Sequence, residues 1–208
     1  MISIDLQRAG QGHEGCFFDS QVPIETINST EYLADYFCKN VSLNERPVVV
    51  VSANAVCMKK AITFRNALIR KGAIPPTAQN KADHACFVHS EKAESQFLGD
   101  VEGSDVIIVD ELVETANKLS ELCTILKRKG AHRIYLCASH GLFTKDSKNL
   151  IDLSPVQRVV VTDTVPLSKN YPASDKIVQV SMAPLIAKVI DSDYFQPDLV
   201  KDEHLHME

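Results

Sequence analysis

The sequence predicts an α/β fold, a parallel β-sheet with helices on both faces. Three observations predict it. Short runs of β-branched apolar residues recur along the chain, as at Val48–Val51, Val106–Val109 and Val159–Val161. Strands buried on both faces read as continuous apolar runs of this kind. Between these runs lie stretches with apolar residues at helical spacing, and strands alternating with helices imply parallel crossovers. The 208 residues are 45% hydrophobic and 24% charged. That is an ordinary globular balance, in a chain long enough to hide roughly 70% of its unfolded surface.

Each element has its own signature. Ile2-Ser-Ile-Asp-Leu6 is strand-like and is followed by a glycine-rich, polar stretch to about residue 28. Arg46–Ser52 is a buried-strand run. From Val56 to Lys71 the spacing of Ala61, Phe64, Ala67 and Leu68 predicts a helix, with Gly72 as its stop. Ala85–Val88 is a weaker strand pattern, and Asp105–Asp110 a strong one. Leu119, Leu122, Ile125 and Leu126 share one helical face. Lys127, Arg128 and Lys129 fill the last turn, and Gly130 ends it. Arg133–Ala138 and Arg158–Thr162 are further strands. Ala183–Ile190 is a short helix that tolerates Pro184 in its first turn. The tail from Asp191 to Glu208 is polar and acidic and is expected to end in disorder.

Composition narrows the function classes. Lys and Arg total 22 against 27 Asp and Glu, a net charge of −5. General nucleic-acid or anionic-membrane binding needs a basic surface, so neither is expected. No apolar run approaches the ~20 residues that span a bilayer. The opening residues have neither the basic nor the apolar region of a secretory signal. Cysteines at 16, 38, 57, 86, 123 and 137 form no CxxC pair. They are read as reduced thiols, and the chain as cytoplasmic.

In open parallel sheets, ligands bind beyond the carboxyl ends of the strands. The segment to read is therefore Asp110-Glu111-Leu112-Val113-Glu114-Thr115-Ala116-Asn117-Lys118. Adjacent carboxylates at a strand end suit ribose hydroxyls or a hydrated Mg2+. A threonine turn at a helix N-terminus suits a phosphate. An acidic helix start that favours the macrodipole explains the same residues, and the segment alone leaves both readings open. His13 with Glu14, and His84 with His89, read as scattered surface or loop histidines rather than metal ligands. His140 follows a strand and precedes Gly141, and it suits packing or a nucleotide-adjacent role equally. His204 and His206 read as solvated. No Ser-His-Asp or Cys-His nucleophile arrangement can be drawn.

The order of motifs adds a resemblance. Residues 98–116 read Leu98-Gly-Asp-Val-Glu-Gly-Ser-Asp105 and then Val-Ile-Ile-Val-Asp110-Glu-Leu-Val-Glu-Thr-Ala116. Then come Lys129-Gly-Ala-His-Arg-Ile-Tyr135, Ala138-Ser-His-Gly-Leu-Phe143, Val159–Leu167, Lys176-Ile177 and Ser181–Ala187. Upstream lie Ile2–Leu6 and Gly15-Cys-Phe-Phe-Asp19. In this order the set resembles ribose-phosphate pyrophosphokinase, the phosphoribosyl-diphosphate (PRPP) synthetase family. The resemblance implies type I phosphoribosyltransferase-like domains, of which this chain is similar to the last three fifths. Residues 1–28 would be the end of a largely missing first domain. Residues 29–182 would be the second domain, and 183–208 a C-terminal helix and polar tail that packs back on the first.

The resemblance also implies ATP, ribose 5-phosphate and PRPP as ligands, Mg2+ as cofactor, and homo- or hetero-oligomers with PRPP-synthetase subunits. It places ribose-phosphate binding at Asp110, Glu111, Glu114, Thr115, Asn117 and Lys118. The departures from the family pattern cluster at chemical positions. Gln7 and Asn54 stand where the family has a histidine and an aspartate around the ATP-bound Mg2+. Neutral amides are poor substitutes there. Val56 and Cys57 replace glycines, Asn117 replaces a glycine and Lys118 a threonine. The family's Lys-Arg loop corresponds to Asn80–His89, which has one lysine and no arginine. The expectation is a catalytically eroded, regulatory or associated subunit of nucleotide biosynthesis, with no catalytic residue assigned. A divergent active pyrophosphokinase and a single-domain phosphoribosyltransferase are the alternatives.

Overall fold

Six strands run parallel in one sheet, in the order β5-β4-β3-β6-β7-β8-β9, with β5 antiparallel at one edge. A computed structural model describes residues 2–5, 25–75, 86–90, 93–144, 146–167 and 174–194. The strands of the sheet are β3 (Val48–Ser52), β4 (Cys86–Ser90), β5 (Ala93–Leu98), β6 (Asp105–Val113), β7 (Ile134–Gly141), β8 (Val156–Thr162) and β9 (Ile177–Val180). A separate parallel pair joins β1 (Ile2–Ile4) to β2 (Glu25–Ile27). Among the described residues no helix is long and apolar enough to cross a membrane.

The expected apolar runs are buried because helices cover both faces. Successive side chains of a strand point to opposite faces. Val49, Val51, Val106, Ile108, Ile134, Leu136, Val159 and Val161 point to one side. There they meet Leu119, Leu122, Cys123 and Leu126 of α3 (Ala116–Arg128) and Ile151 of α4 (Ser147–Leu153). Val48, Val50, Ile107, Val109, Tyr135, Cys137 and Val160 point to the other. They meet Leu33 and Phe37 of α1 (Thr30–Asn40), and Phe64 and Leu68 of α2 (Met58–Arg70). The Phe37 ring meets Phe64 edge-on at 5.5 Å between centroids and Tyr135 at 6.1 Å. Gly130 takes φ of 86° just beyond α3, the left-handed turn expected of a C-terminal glycine.

The structure differs from the sequence reading in several places. Helix α2 starts at Met58, not Val56, because Asn54 Oδ1 accepts from the Cys57 amide at 3.0 Å and holds residues 54–57 in a turn. β6 runs on to Val113. Its partner β7 also continues, pairing Leu112 with His140 and Val113 with Gly141. His140 therefore lies within a strand rather than after one. Helices α1 and α4 and strands β2, β5 and β9 have no counterpart in the sequence reading. The C-terminal helix, α5, spans Ala183–Tyr194, and none of residues 183–191 is buried, with Ile190 43% exposed. Cys38, Cys57, Cys123 and Cys137 are unbridged, and the last three are buried. The readings made at residues 6–24, 76–85 and 195–208, including Gln7, His13, Glu14, His84, His204 and His206, lie outside the described residues.

Buried charge anchors the amino end of the sheet. The fully buried Asp105 carboxylate accepts from Arg133 Nε at 3.0 Å and Nη2 at 2.6 Å, and from the Arg133 amide at 3.2 Å. Arg133 Nη2 also donates to Ser42 O at 2.8 Å. This clamp ties the starts of β6 and β7 to the loop before β3.

Candidate functional site

The chain leaves β3 for β4 on one side and, after β5, returns to β6 on the other. The order therefore reverses between β3 and β6, and open α/β sheets bind ligands in the crevice at such a switch point. A cleft of about 360 Å³ lies there. Asn54, Val56 and Cys57 line it from the β3 side. Asp110–Thr115 and Lys118 line it from β6 and α3.

The predicted residues are brought together, but not as a loop. Asp110 and Glu111 lie within β6, whose extension to Val113 leaves only Glu114 and Thr115 as the turn. Asn117 and Lys118 are in the first turn of α3. Lys118 lines the cleft, whereas Asn117 is exposed and is not among the lining residues. Thr115 is the N-cap residue, with φ of −119° and ψ of 145°, and its hydroxyl makes no capping bond. Gln7 lies outside the described residues.

The β3 side of the crevice is bonded to the start of its β6 wall. Asp110 Oδ1 accepts from the Glu111 amide at 2.8 Å and from the Cys57 thiol at 3.3 Å. Burial, together with the Asp110 carboxylate, pushes the Cys57 thiol up to about 12, so it stays a protonated donor near neutrality. The Ala116 amide at the head of α3 donates to Ser147 Oγ at 3.3 Å. Behind the turn, Leu142 N donates to Val113 O at 2.9 Å and Thr144 N to Glu114 O at 2.8 Å. Gly141 permits this close return. A Cβ there would lie 2.4 Å from Phe143 Cε2, and Phe143 itself takes φ of 48°.

Mg2+ prefers near-octahedral oxygen ligands, commonly one or two carboxylates with phosphates and water. Here one Asp110 oxygen is already bonded, Asn54 Oδ1 caps the turn, and Cys57 presents sulfur. The described residues contain no group of three His, Cys, Asp or Glu able to hold a metal. The β3 side therefore offers Mg2+ no free hard ligand, and an ion there would rest on the carboxylates of Asp110, Glu111 and Glu114 with phosphate and water.

Sequence reasoning missed a second polar centre. Asp5, Ser29, Lys60 and Ser139 meet at the carboxyl end of β7. No local signal marks it, since the partners come from three distant segments.

Fold and crevice together define an open parallel α/β domain with a cleft at its switch point. The family model described as the phosphoribosyl synthetase-associated domain matches residues 69–197, and the chain belongs to this PRPP-synthetase family. It is 36% identical over 181 residues to a ribose-phosphate pyrophosphokinase of Aquifex aeolicus, covering 84% of this chain and 52% of that protein. It is 31% identical over 165 residues to a putative ribose-phosphate pyrophosphokinase 2 of Streptococcus agalactiae, covering 79% and 48%. The chain thus spans about half the length of these relatives. The crystal structure of phosphoribosylpyrophosphate synthetase from Mycobacterium smegmatis superposes with a TM-score of 0.74 at 22% identity, over 93% of this chain and 58% of that one. At that identity the likeness speaks for the fold.

Proposed function

We propose that this chain is a catalytically eroded member of the PRPP-synthetase family that keeps a ribose-phosphate crevice and serves as a regulatory or associated subunit. In this reading Asp110 and Glu111 approach ribose hydroxyls, and Thr115 and Lys118 approach phosphate. Glu114 and Asn117 border the site. The candidate ligands are ribose 5-phosphate and PRPP, with ATP and Mg2+ as the further ligands of the active relatives. Residues 29–182 form the binding domain, residues 1–28 end a preceding one, and 183–208 carry the terminal helix and tail. PRPP-synthetase subunits are the proposed partners.

One observation carries the reading, the engagement of Asn54, Cys57 and one Asp110 oxygen with one another rather than with the cleft. Phosphoryl transfer depends on positioning and on charge stabilisation of the transferring group. Two polar atoms on the β3 side of the crevice and at the start of its β6 wall are engaged within the protein. Asn54 Oδ1 caps the Cys57 amide, and Asp110 Oδ1 accepts the Cys57 thiol. A ribose hydroxyl needs only an acceptor and can exchange with the thiol, whereas a metal-bound diphosphate needs the missing ligands.

The test is ATP- and Mg2+-dependent PRPP formation from ribose 5-phosphate, by the chain alone and with its longer relatives as partners. Losing one electrostatic contact to the reacting group typically costs ~10²–10³ in rate, so the chain's own turnover should fall at least ~100-fold below that of an intact relative. Gln7→His with Asn54→Asp is the gain-of-function control. Near-normal turnover by the unmodified chain would overturn the reading and favour the divergent active enzyme, which the 36% identity to a named pyrophosphokinase makes the natural rival.

A further inference from the structure

The crevice is unevenly charged. Among its described lining residues, Asp110, Glu111 and Glu114 supply three carboxylates and Lys118 the one cation. Lys118 sits in the first turn of α3, beside the N-cap Thr115, whose hydroxyl makes no capping bond. A helix start left without a side-chain acceptor, with a lysine in its first turn, suits one phosphate.

The opposite wall, residues 54–57 between β3 and α2, has no such provision. Asn54 offers a neutral amide, and its Oδ1 is taken by the Cys57 amide at 3.0 Å. Helix α2 starts on this side, but its first amides are bonded locally, Cys57 N to Asn54 and Met58 N to Ala55 O at 3.4 Å. The Cys57 side chain does not cap α2 and donates its thiol to Asp110 Oδ1 at 3.3 Å. Of the two lysines in the first turn of α2, Lys60 is paired with Asp5 at 3.2 Å, and Lys59 is not among the lining residues. The remaining side chain of this wall is Val56, which is 81% exposed at the cleft. An apolar group there offers an anion neither charge nor a hydrogen bond.

In ribose 5-phosphate, C1 lies across the ring from the carbon that carries the phosphate arm. With the phosphate at Thr115 and Lys118, and the ring hydroxyls at Asp110 and Glu111, C1 turns toward residues 54–57. A hydroxyl on C1 adds no charge. A diphosphate on C1 adds two charged phosphates beside the carboxylates, facing a wall that supplies no cation. We propose that the crevice selects ribose 5-phosphate against its 1-diphosphate, PRPP, and that Val56 with the turn 54–57 is the selecting wall. The proposal rests on the ribose-phosphate reading of the crevice and decides between its candidate ligands. As an associated subunit the chain then responds to the supply of ribose 5-phosphate and not to accumulated PRPP.

A like-charge contact at 4 Å weakens binding roughly fivefold in a water-like dielectric and several hundredfold in a surface one. Calorimetric titration of the full chain with each sugar phosphate reads the difference. Ribose 5-phosphate should bind at least ~tenfold more tightly than PRPP in metal-free buffer, and remain the tighter ligand with Mg2+ present. The gap should narrow in high salt, where surface repulsion is screened. Val56→Lys changes an exposed position and sets a cation opposite the carboxylates. It should tighten PRPP binding at least ~fivefold and ribose 5-phosphate binding less than ~twofold. PRPP binding equal to or tighter than that of ribose 5-phosphate, in either buffer, would overturn the selectivity and leave the ribose-phosphate reading standing. Binding of neither would overturn that reading and the selectivity with it. A folded Val56→Lys variant that keeps its affinity for ribose 5-phosphate and gains none for PRPP would overturn the role given to the wall.

Discussion

Replacing Cys57 by glycine should open the crevice to sugar hydroxyls. The thiol is 4% exposed and sits 3.3 Å from Asp110 Oδ1, so a ribose hydroxyl approaching that oxygen must first displace it. A hydrogen bond to a charged group is worth ~1.5–3 kcal/mol, and a thiol is a weak donor, which favours the lower end. Removing ~1.5 kcal/mol of competition corresponds to about tenfold in affinity. The backbone does not oppose the change, since Cys57 has φ of −79° and ψ of 0° at the N-cap of α2, where glycine costs only a few tenths of a kcal/mol. The lost packing costs ~1–2 kcal/mol of stability, visible as a modest drop in Tm. The assay is calorimetric titration with ribose 5-phosphate of wild type, Cys57→Gly and Cys57→Ser. The glycine variant should bind about tenfold tighter, and the serine variant, which keeps a donor, should stay near wild type. Because the thiol ionises only at about 12, the gain should be flat between neutral and mildly alkaline pH. A glycine variant that melts earlier yet binds no tighter would reduce Cys57 to a packing residue and refute the competition argument.

The other expectations concern single charges. Lys118→Ala should weaken ribose 5-phosphate binding by roughly fivefold or more, given ~1–4 kcal/mol for a unit charge pair at 4 Å between water-like and surface dielectrics, with a loss that shrinks in high salt; equal affinity would remove Lys118 from the site. Arg133→Met should cost ~3–5 kcal/mol in urea unfolding at neutral pH, because Asp105 is left fully buried without its cation, and a loss below ~1 kcal/mol would refute the clamp. The same pair fixes the acid behaviour. Burial pushes the Asp105 carboxyl up, but the bonds from Arg133 and His132 outweigh that and hold it below 3.8. Its stabilisation is therefore complete above the unfolded value and fades as pH falls through the depressed folded one. In Arg133→Met, where burial acts unopposed, stability should instead rise as pH drops from neutral toward 5.

What the sequence disclosed follows from how local each signal is. β3, β6, β7 and β8 were legible because burial on two faces leaves a continuous β-branched run, as in Val48–Val51. Helices α2 and α3 were legible because their buried residues recur at helical spacing over 13 residues each. In α1, Leu33, Ala34 and Phe37 hold only a short stripe among polar neighbours, and α4 has just seven residues, so neither rose above its surroundings. The extension of β6 past Asp110 depends on β7 continuing beside it, which no property of residues 110–113 reveals. The rule that ligands gather beyond strand ends points to the same segment, 110–118, that lines much of the cleft. The contact of Cys57 with Asp110 spans 53 residues, and that of Ser139 with Asp5 spans 134, distances at which only the folded chain supplies the information.

The turn at Gly141 bears on how this chain can vary. The missing side chain leaves just enough room for the Phe143 ring, and the backbone beyond it bonds directly to Val113 and Glu114 at the crevice floor. Even the smallest addition at position 141 must move either a buried ring or that backbone. Neither β6 nor β7 needs the space for its own ladder, so the disturbance falls on the rim of the cleft first. Mutational drift there would be registered as an altered cleft rim in a protein that still folds, which makes position 141 a natural tuning point of the crevice.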